Sequence, residues 1–228
     1  MTTTTAMVLA AGRGERLRPL TDERPKALVE VRGMTLLEAQ LERLSRAGVQ
    51  TVVINLGWLG EMIVERIGDG SRFGLQVAYS PEYDHVLETG GGILRALPLL
   101  GDAPFWVLNA DVFTDISLPA VDLAPDCLGH LILVPLPKYL SRGDFDLAGG
   151  RVRRHDNPAF VFSGMAVYRP EFFQPEFRID ADAARFPLAP MLFAAADLGR
   201  LSGEIYRGAW ADVGTAERLA RLNSDVRS

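Results

Sequence analysis

The chain has 228 residues, of which 48% are hydrophobic and 23% charged, proportions typical of a soluble globular domain with a full core. Its formal net charge of −5 argues against a nucleic-acid-binding surface, and its single cysteine excludes an internal disulfide. No apolar run approaches the roughly 20 residues that span a membrane, and residues 1–6 lack a basic signal-peptide region. We therefore expect a cytoplasmic protein with neither a nucleic-acid nor a membrane partner.

Apolar runs alternate with amphipathic segments in the first half of the chain. These runs predict strands, covered on both faces of a sheet, over residues 6–9, 51–56, 75–79, 105–110 and 131–134. Helices are predicted over residues 35–47, 58–67 and 91–97, the first opened by a capping box from Thr35 to Glu38 and ended by Gly48. This alternation predicts an α/β fold with a mostly parallel sheet, whose ligands bind at the carboxyl ends of the strands.

The second half has a different pattern. Short strands over residues 145–147, 151–154 and 160–168 predict an antiparallel or mixed patch that extends the same sheet. A helix over 188–196, a strand over 204–213 and a last helix over 215–223, capped by Thr215, are expected to follow. No linker divides the chain, so we predict a single domain over residues 1–228.

A glycine turn follows the first predicted strand and is rich in cations. Gly12 and Gly14 let bare backbone N–H groups approach an anion closely, and Arg16, Arg18 and Lys26 add positive charge around them. Lysine is rare in this chain, since only two of its 24 cationic residues are lysines, and a lysine supplies a compact ammonium. The turn is interpreted as a phosphate-binding loop, although two lysines are too few to exclude chance.

Two familiar phosphate-binding motifs do not match this loop. The dinucleotide fingerprint needs a third glycine and a helix starting on the loop, whereas this chain has Leu17 and the helix-breaking Pro19. A Walker loop needs Gly-Lys-Ser/Thr at its end, whereas Gly14 is followed by Glu15. We therefore expect cations and no helix on this segment.

Two aspartates follow predicted strands and are candidate ligands of Mg²⁺. Asp111 ends the apolar run that includes Asn109, and Asp212 lies in Trp-Ala-Asp-Val-Gly-Thr near the end of the last predicted strand. Each alone is more typical of a turn or of a helix N-terminus. Together with the phosphate-binding loop they favour a metal site, because Mg²⁺ lets two polyanions approach each other.

Glycine-rich segments elsewhere have weaker interpretations. Residues 88–92 form a turn that either admits a base or sugar closely or is simply a flexible connection. Gly164 lies in an apolar strand, where a bulge or a ligand would explain it, and Gly143-Asp144 could equally be a solvated turn. The three histidines, which show no metal-ligand spacing, are given no role: His85, His130 and His155.

Taken together, these motifs resemble the sugar-1-phosphate nucleotidyltransferases. The resemblance spans nearly the whole chain and rests on the first loop with Pro-Lys-Ala-Leu, Glu-Thr-Gly-Gly-Gly at 88–92, Asn-x-Asp at 109–111, Phe-Ser-Gly at 162–164 and Trp-x-Asp-Val-Gly-Thr at 210–215. It implies a Rossmann-like mixed sheet, with a nucleotide-binding part over about 1–136 and a sugar-binding part over about 137–228. One departure is that many relatives have Glu-Lys-Pro where this chain has Asp156-Asn157-Pro158.

The resemblance also implies roles for individual residues. Lys26 and Arg16 would be catalytic, and Asp111 and Asp212 would hold Mg²⁺. The residues implied to bind the nucleotide are Leu9, Ala10, Ala11, Gly12, Gly14, Glu15, Arg16, Lys26, Thr89, Gly90 and Asn109. Those implied to line the sugar pocket are Gly143, Asp144, Asn157 and Gly164.

The expected substrates are a nucleoside triphosphate and a sugar 1-phosphate. Within the family, the similarity of residues 68–74, 87–93, 96–105 and 203–208 favours UTP with N-acetylmuramic acid 1-phosphate. The alternatives are mannose, glucose or heptose 1-phosphate with another triphosphate, or a catalytically inactive regulatory subunit on the same fold. A homo-oligomer is left open.

Overall fold

The computed structural model describes residues 3–83, 87–178 and 183–224, so that His85 lies outside the described residues. The strands are β1 (Thr5–Leu9), β2 (Glu30–Val31), β3 (Met34–Thr35), β4 (Thr51–Leu56), β5 (Gln76–Pro81), β6 (Phe105–Asn109), β7 (Val112–Thr114), β8 (Gly129–Pro135), β9 (Asp146–Ala148), β10 (Arg151–Arg153), β11 (Phe160–Tyr168), β12 (Leu201–Ile205) and β13 (Trp210–Asp212). The α-helices are α1 (Leu20–Glu23), α2 (Leu36–Arg46), α3 (Gly60–Ile67), α4 (Glu88–Leu100), α5 (Ala189–Asp197) and α6 (Ala216–Ser224).

Nine strands form the central sheet, in the order β5-β4-β1-β6-β11-β8-β12-β10-β9. The first four are mutually parallel, β11 runs antiparallel to both of its neighbours, and β12 is again parallel to β8. The prediction of a mostly parallel mixed sheet, extended by the second half of the chain, is therefore confirmed.

The sheet separates two hydrophobic cores. Ala6 and Val8 of β1 pack in the core that contains α2 and α3, whereas Met7 packs in the core with α4 and α5. Successive side chains of a strand point to opposite faces of the sheet, so a strand that is apolar throughout must be covered by other elements on both faces. No helix within the described residues is long and apolar enough to cross a membrane.

The capping box predicted for α2 is present. The Glu38 backbone N–H donates to Thr35 Oγ1 at 3.2 Å, and the Thr35 N–H donates to the Glu38 carboxylate at 3.3 Å. Arg66 and Arg72, whose side chains are about half exposed, also pair with this carboxylate, which ties α2 to α3 and to the turn that follows α3.

The single strand predicted over residues 204–213 is wrong. The segment forms two strands, β12 parallel to β8 in the main sheet and β13 antiparallel to β7 in a separate two-stranded sheet. The chain leaves the main sheet after Ile205, passes Gly208 and re-pairs with residues 112–114. Apolar content alone could not reveal the change of pairing partner.

Two further expectations need correction near the ligand-binding edge. The segment after β1, expected to have no helix, forms short helical turns at Glu15–Leu17, Leu20–Glu23 and Lys26–Leu28. The glycines expected in a turn at 88–92 belong instead to the first turns of α4, which begins at Glu88 rather than at residue 91. Glycine lets this helix pack closely, because a Cβ at Gly92 would lie 2.6 Å from Glu82 Oε1.

Candidate active site

A cavity of about 650 Å³ opens at the carboxyl ends of β1, β4, β5 and β6. This is where a parallel sheet presents its ligands. The predicted residues on its wall are Leu9, Ala10, Ala11, Gly12, Gly14, Glu15, Arg16, Lys26, Thr89, Asn109 and Asp111. The other lining residues are Arg13, Ala27, Asn55, Glu82, Glu88, Ala110 and Gly214.

The glycine loop folds back onto Lys26. Gly14 has a φ of 69°, and a Cβ at this position would lie 3.0 Å from the Cβ of Lys26, so a side chain here would be strained and crowded. Thr21 Oγ1 donates to the Gly14 carbonyl at 2.9 Å and fixes the turn. Gly12 instead faces open space. The loop thus holds Lys26 beside an accessible stretch of backbone.

Lys26 forms an ion pair with Asp111 on the wall of the cavity. Its ammonium donates to Asp111 Oδ2, and the two side chains are 13% and 32% exposed. The ion pair links the helical turn Lys26–Leu28 to Asp111, which lies two residues after the end of β6. A partly buried cation next to a carboxylate, both facing the cavity, suits the binding of phosphate groups together with a metal ion.

The pairing of β7 with β13 brings the two predicted metal ligands into one region. Asp212 is opposite Val112 in the ladder, and the Val213 N–H donates to the Asp111 carbonyl at 2.8 Å. The Asp212 carboxylate accepts hydrogen bonds from Tyr139 Oη at 2.8 Å and from Arg218. Burial and this hydrogen bond raise the pKa of Tyr139 to about 12.

The donor set of Asp111 and Asp212 fits Mg²⁺. Within the described residues, no group of three or more His, Cys, Asp or Glu side chains is arranged to hold a metal. Mg²⁺ does not need such a cage, because it commonly binds through one or two carboxylates and takes its remaining ligands from water and phosphate oxygens. Two carboxylates beside the glycine loop are compatible with that pattern, and metal binding by Asp111 and Asp212 stays a prediction.

Asn55 and Glu82 form a polar pair on the cavity wall. This pair was not predicted from the sequence. Asn55 Oδ1 accepts from the Ala10 N–H at 2.6 Å, and its amide donates to Glu82 Oε1 at 2.8 Å. Glu82 is 4% exposed, and burial raises its pKa. Each of these two residues is polar and lies at or just after the end of an apolar strand. The same pattern indicated Asp111, so it could have predicted them from the sequence.

Gly90 lies behind the wall that Thr89 forms. The Gly90 N–H donates to the Phe186 carbonyl at 3.0 Å, and a Cβ on Gly90 would collide with the Phe186 ring. The close approach anticipated for a base or sugar is thus made here by protein, the segment 183–186. Direct binding of a base by Gly90 stays a prediction.

The residues predicted to bind the sugar lie around β11, outside the wall described above. Gly143 is buried against the backbone of Pro158 and Phe160, and Asp144 Oδ2 accepts from the Phe162 N–H at 2.9 Å. Asn157 is exposed.

Gly164 lies at the irregularity between Phe162 and Ala166, with a φ of 80°, so of the two explanations for this glycine, a bulge or a ligand, the structure supports the bulge. A Cβ on Gly164 would lie 2.6 Å from Asn109 Nδ2, which connects β11 to the cavity. The sugar-binding roles remain predictions.

Comparison with known proteins identifies the family to which this geometry belongs. The family model described as nucleotidyl transferase matches residues 5–124, slightly more than half of the chain and most of the cavity wall. The chain belongs to the nucleotidyl transferase family. The resemblance inferred from the motifs is confirmed, and the class of reaction is nucleotidyl transfer.

Individual members of the family align with nearly the whole chain. The N-acetylmuramate alpha-1-phosphate uridylyltransferase of Neisseria meningitidis serogroup B is 46% identical, over 94% of each chain. Its counterpart in Caulobacter vibrioides is 35% identical, over 97% of this chain and 96% of the relative. The solved inositol-1-phosphate CTP transferase of T. maritima superposes with a TM-score of 0.76 at 16% identity, covering 100% of this chain and 98% of that one, and shows the same fold.

Proposed function

We propose that the protein joins a sugar 1-phosphate to a nucleoside triphosphate with release of pyrophosphate, and that its substrates are UTP and N-acetylmuramic acid α-1-phosphate. The observation that carries the reaction type is the Lys26–Asp111 pair beside an open glycine loop. The choice of substrates is supported by the two uridylyltransferases that align along nearly the whole chain.

The reaction is an in-line displacement at phosphorus. An oxygen of the sugar 1-phosphate attacks the α-phosphorus of UTP, and a new P–O bond forms as the bond to the bridging oxygen of the β-phosphate breaks. The electron pair of that bond leaves with pyrophosphate. The attacking oxygen is already ionised at neutral pH, so no general base is needed and catalysis consists of positioning and charge stabilisation.

The chain supplies the parts that such a reaction needs. The backbone of residues 9–14 cradles the triphosphate, Arg16 binds the phosphates that leave, and Lys26 offsets the repulsion between the α-phosphate and the sugar phosphate. Asp111 and Asp212 would hold Mg²⁺, which neutralises phosphate charge when bound. The sugar is assigned to the region of Gly143, Asp144, Asn157 and Gly164, next to the nucleotide cavity.

A substrate matrix tests this assignment. The purified protein is incubated with each of UTP, GTP, CTP and TTP against N-acetylmuramic acid, glucose, mannose and heptose 1-phosphates, and pyrophosphate release is measured with and without Mg²⁺. We expect the highest kcat/KM for UTP with N-acetylmuramic acid 1-phosphate. A higher kcat/KM for another pair would change the assigned substrates but leave the proposed type of reaction unchanged. Nucleotide binding without turnover on any pair would favour a regulatory protein.

A further inference from the structure

Arg218, a residue that the sequence motifs did not single out, reaches the site from the first turn of α6. Its side chain is 21% exposed and donates to Asp212 Oδ2. The guanidinium carbon lies 4.0 Å from the centre of the Tyr139 ring, and Tyr139 Oη donates to the other oxygen of the same carboxylate. Arg218 is thus fixed in place by a carboxylate and an aromatic face.

Arg218 and Arg16 converge on Gly214 at the edge of the cavity. A Cβ built on Gly214 would lie 2.9 Å from Asp212 Oδ2, 3.1 Å from Arg218 Nη1 and 3.3 Å from Arg16 Nη2. Gly214 lines the cavity and leaves this space free of a side chain. Two guanidinium groups and the Asp212 carboxylate therefore surround Gly214 at the edge of the cavity.

We propose that Arg218 is a phosphate-binding residue, which acts with Arg16 on the same anion and is held ready by Asp212 and Tyr139 until that anion arrives. The two guanidinium groups carry one more positive charge than the Asp212 carboxylate neutralises, and their planar forks match the oxygens of phosphate. The inference deepens the proposed function, since it rests on a substrate that carries phosphates into this cavity.

A competing explanation is that Arg218 only neutralises Asp212. Both explanations predict weaker phosphate binding when Arg218 alone is removed, because an uncompensated Asp212 would repel the anion. They differ when both charges are removed. Arg218→Gln combined with Asp212→Asn restores phosphate binding if Arg218 is merely a counter-ion, but leaves it weak if Arg218 contacts the phosphate itself.

Calorimetric titration with inorganic pyrophosphate in EDTA measures this without a metal, a base or a sugar. We expect Arg218→Gln and Arg218→Gln/Asp212→Asn each to raise the Kd about tenfold, the scale of one charge-assisted hydrogen bond. Arg16→Gln should weaken binding similarly, and the two arginine substitutions should be non-additive because they share one anion. Arg221→Gln, an exposed arginine on the same helix, should match the wild type.

Glucose 1-phosphate is titrated in parallel. If Arg218 binds the phosphates that leave, Arg218→Gln should weaken pyrophosphate binding more; if it binds the phosphate of the incoming sugar, Arg218→Gln should weaken glucose 1-phosphate binding more. Recovery of wild-type pyrophosphate binding in the double variant, or no measurable binding by the wild type itself, would overturn the proposal. Neither result depends on turnover, so the substrate matrix can succeed or fail independently. Unfolding midpoints equal to that of the wild type show that the variants are folded.

Discussion

Lys26 and Asp111 are 85 residues apart in the chain, yet the Lys26 ammonium is bonded directly to the Asp111 carboxylate on the cavity wall. Parallel pairing of β1 with β6 makes this possible, because it aligns Leu9 with Asn109 and brings the two segments that follow these strands together. The pair places a compact positive charge and a hard oxygen ligand side by side, where two phosphate-bearing substrates must meet.

Replacing Lys26 tests that arrangement most directly. Lys26→Ala should lower kcat by about 100-fold, because its charge matters most when the two phosphates are forced together. The Kd for the nucleotide should change less, since the loop amides still contact the triphosphate. Lys26→Arg should recover little activity, because a planar fork does not replace a point charge. Steady-state kinetics and nucleotide titration measure both effects.

The second lysine of the chain provides a matched control for this substitution. Lys138 is exposed and lies outside the cavity wall, so Lys138→Ala should retain wild-type kcat. A near-normal kcat for folded Lys26→Ala would mean that the loop has been assigned the wrong role.

The two aspartates should determine how much Mg²⁺ the reaction requires. Asp111→Asn and Asp212→Asn each remove one carboxylate ligand, so the Mg²⁺ concentration giving half-maximal activity should rise about tenfold or more. Titration of the metal-free protein with Mg²⁺ by calorimetry should show the same weakening without turnover. Asp115→Asn, an exposed carboxylate four residues after Asp111, should keep the wild-type requirement. Equal Mg²⁺ dependence in all three variants would exclude the proposed ligands.

The sequence predicted the part of the site that local patterns encode. The glycine loop, Lys26 and Asp111 all follow the ends of apolar strands, and parallel strands present their carboxyl ends at one edge. Asn55 and Glu82 follow the same rule, but neither carries a distinctive motif, and their mutual hydrogen bond shows that they act as a pair.

Other features depend on tertiary pairing and had no local signal. Residues 204–213 are apolar enough for one strand, and only the competing partners β8 and β7 divide them in two. The glycines at 90 and 91 looked suited to a ligand, yet the backbone that approaches them belongs to residues 184 and 186. A glycine in the sequence indicates that another group approaches the backbone closely, but it does not indicate whether that group belongs to a ligand or to the protein.

Arg43 should be important for stability because it holds the strand that follows Asp111. It is 9% exposed, and its Nε donates to the Ile116 carbonyl at 2.9 Å and its Nη2 to the Thr114 carbonyl at 2.5 Å. Arg43→Leu would leave these buried carbonyls without donors, so urea unfolding should show a loss of about 3 kcal/mol.

An exposed arginine on the same helix gives the comparison for Arg43. Arg46 is 76% exposed and pairs with Glu42 one turn earlier, so Arg46→Leu should cost less than about 0.5 kcal/mol. If the two variants lose similar stability, the hydrogen bonds of Arg43 to residues 114 and 116 contribute little.

Glu38 should make stability depend on pH in the acid range. Burial alone would raise the pKa of Glu38, but hydrogen bonds from Arg66 and Thr35 outweigh it and lower the pKa from 4.5 to about 2. A carboxyl group with a lowered pKa in the folded state stabilises the protein fully above the unfolded value. That contribution is lost as the pH falls from about 4.5 towards 2.

Comparing the wild type with Glu38→Gln by urea unfolding between pH 7 and pH 3 tests this contribution. The difference in free energy of unfolding should be at most about 3 kcal/mol near pH 7 and should shrink steadily below pH 4.5, because protonation removes the same charge from the wild type. Glu42→Gln, which breaks only the exposed pair with Arg46, should give a small difference that changes little with pH. A Glu38→Gln difference that is constant over the whole range would show that packing or the helix cap, and not the charge, accounts for the role of Glu38.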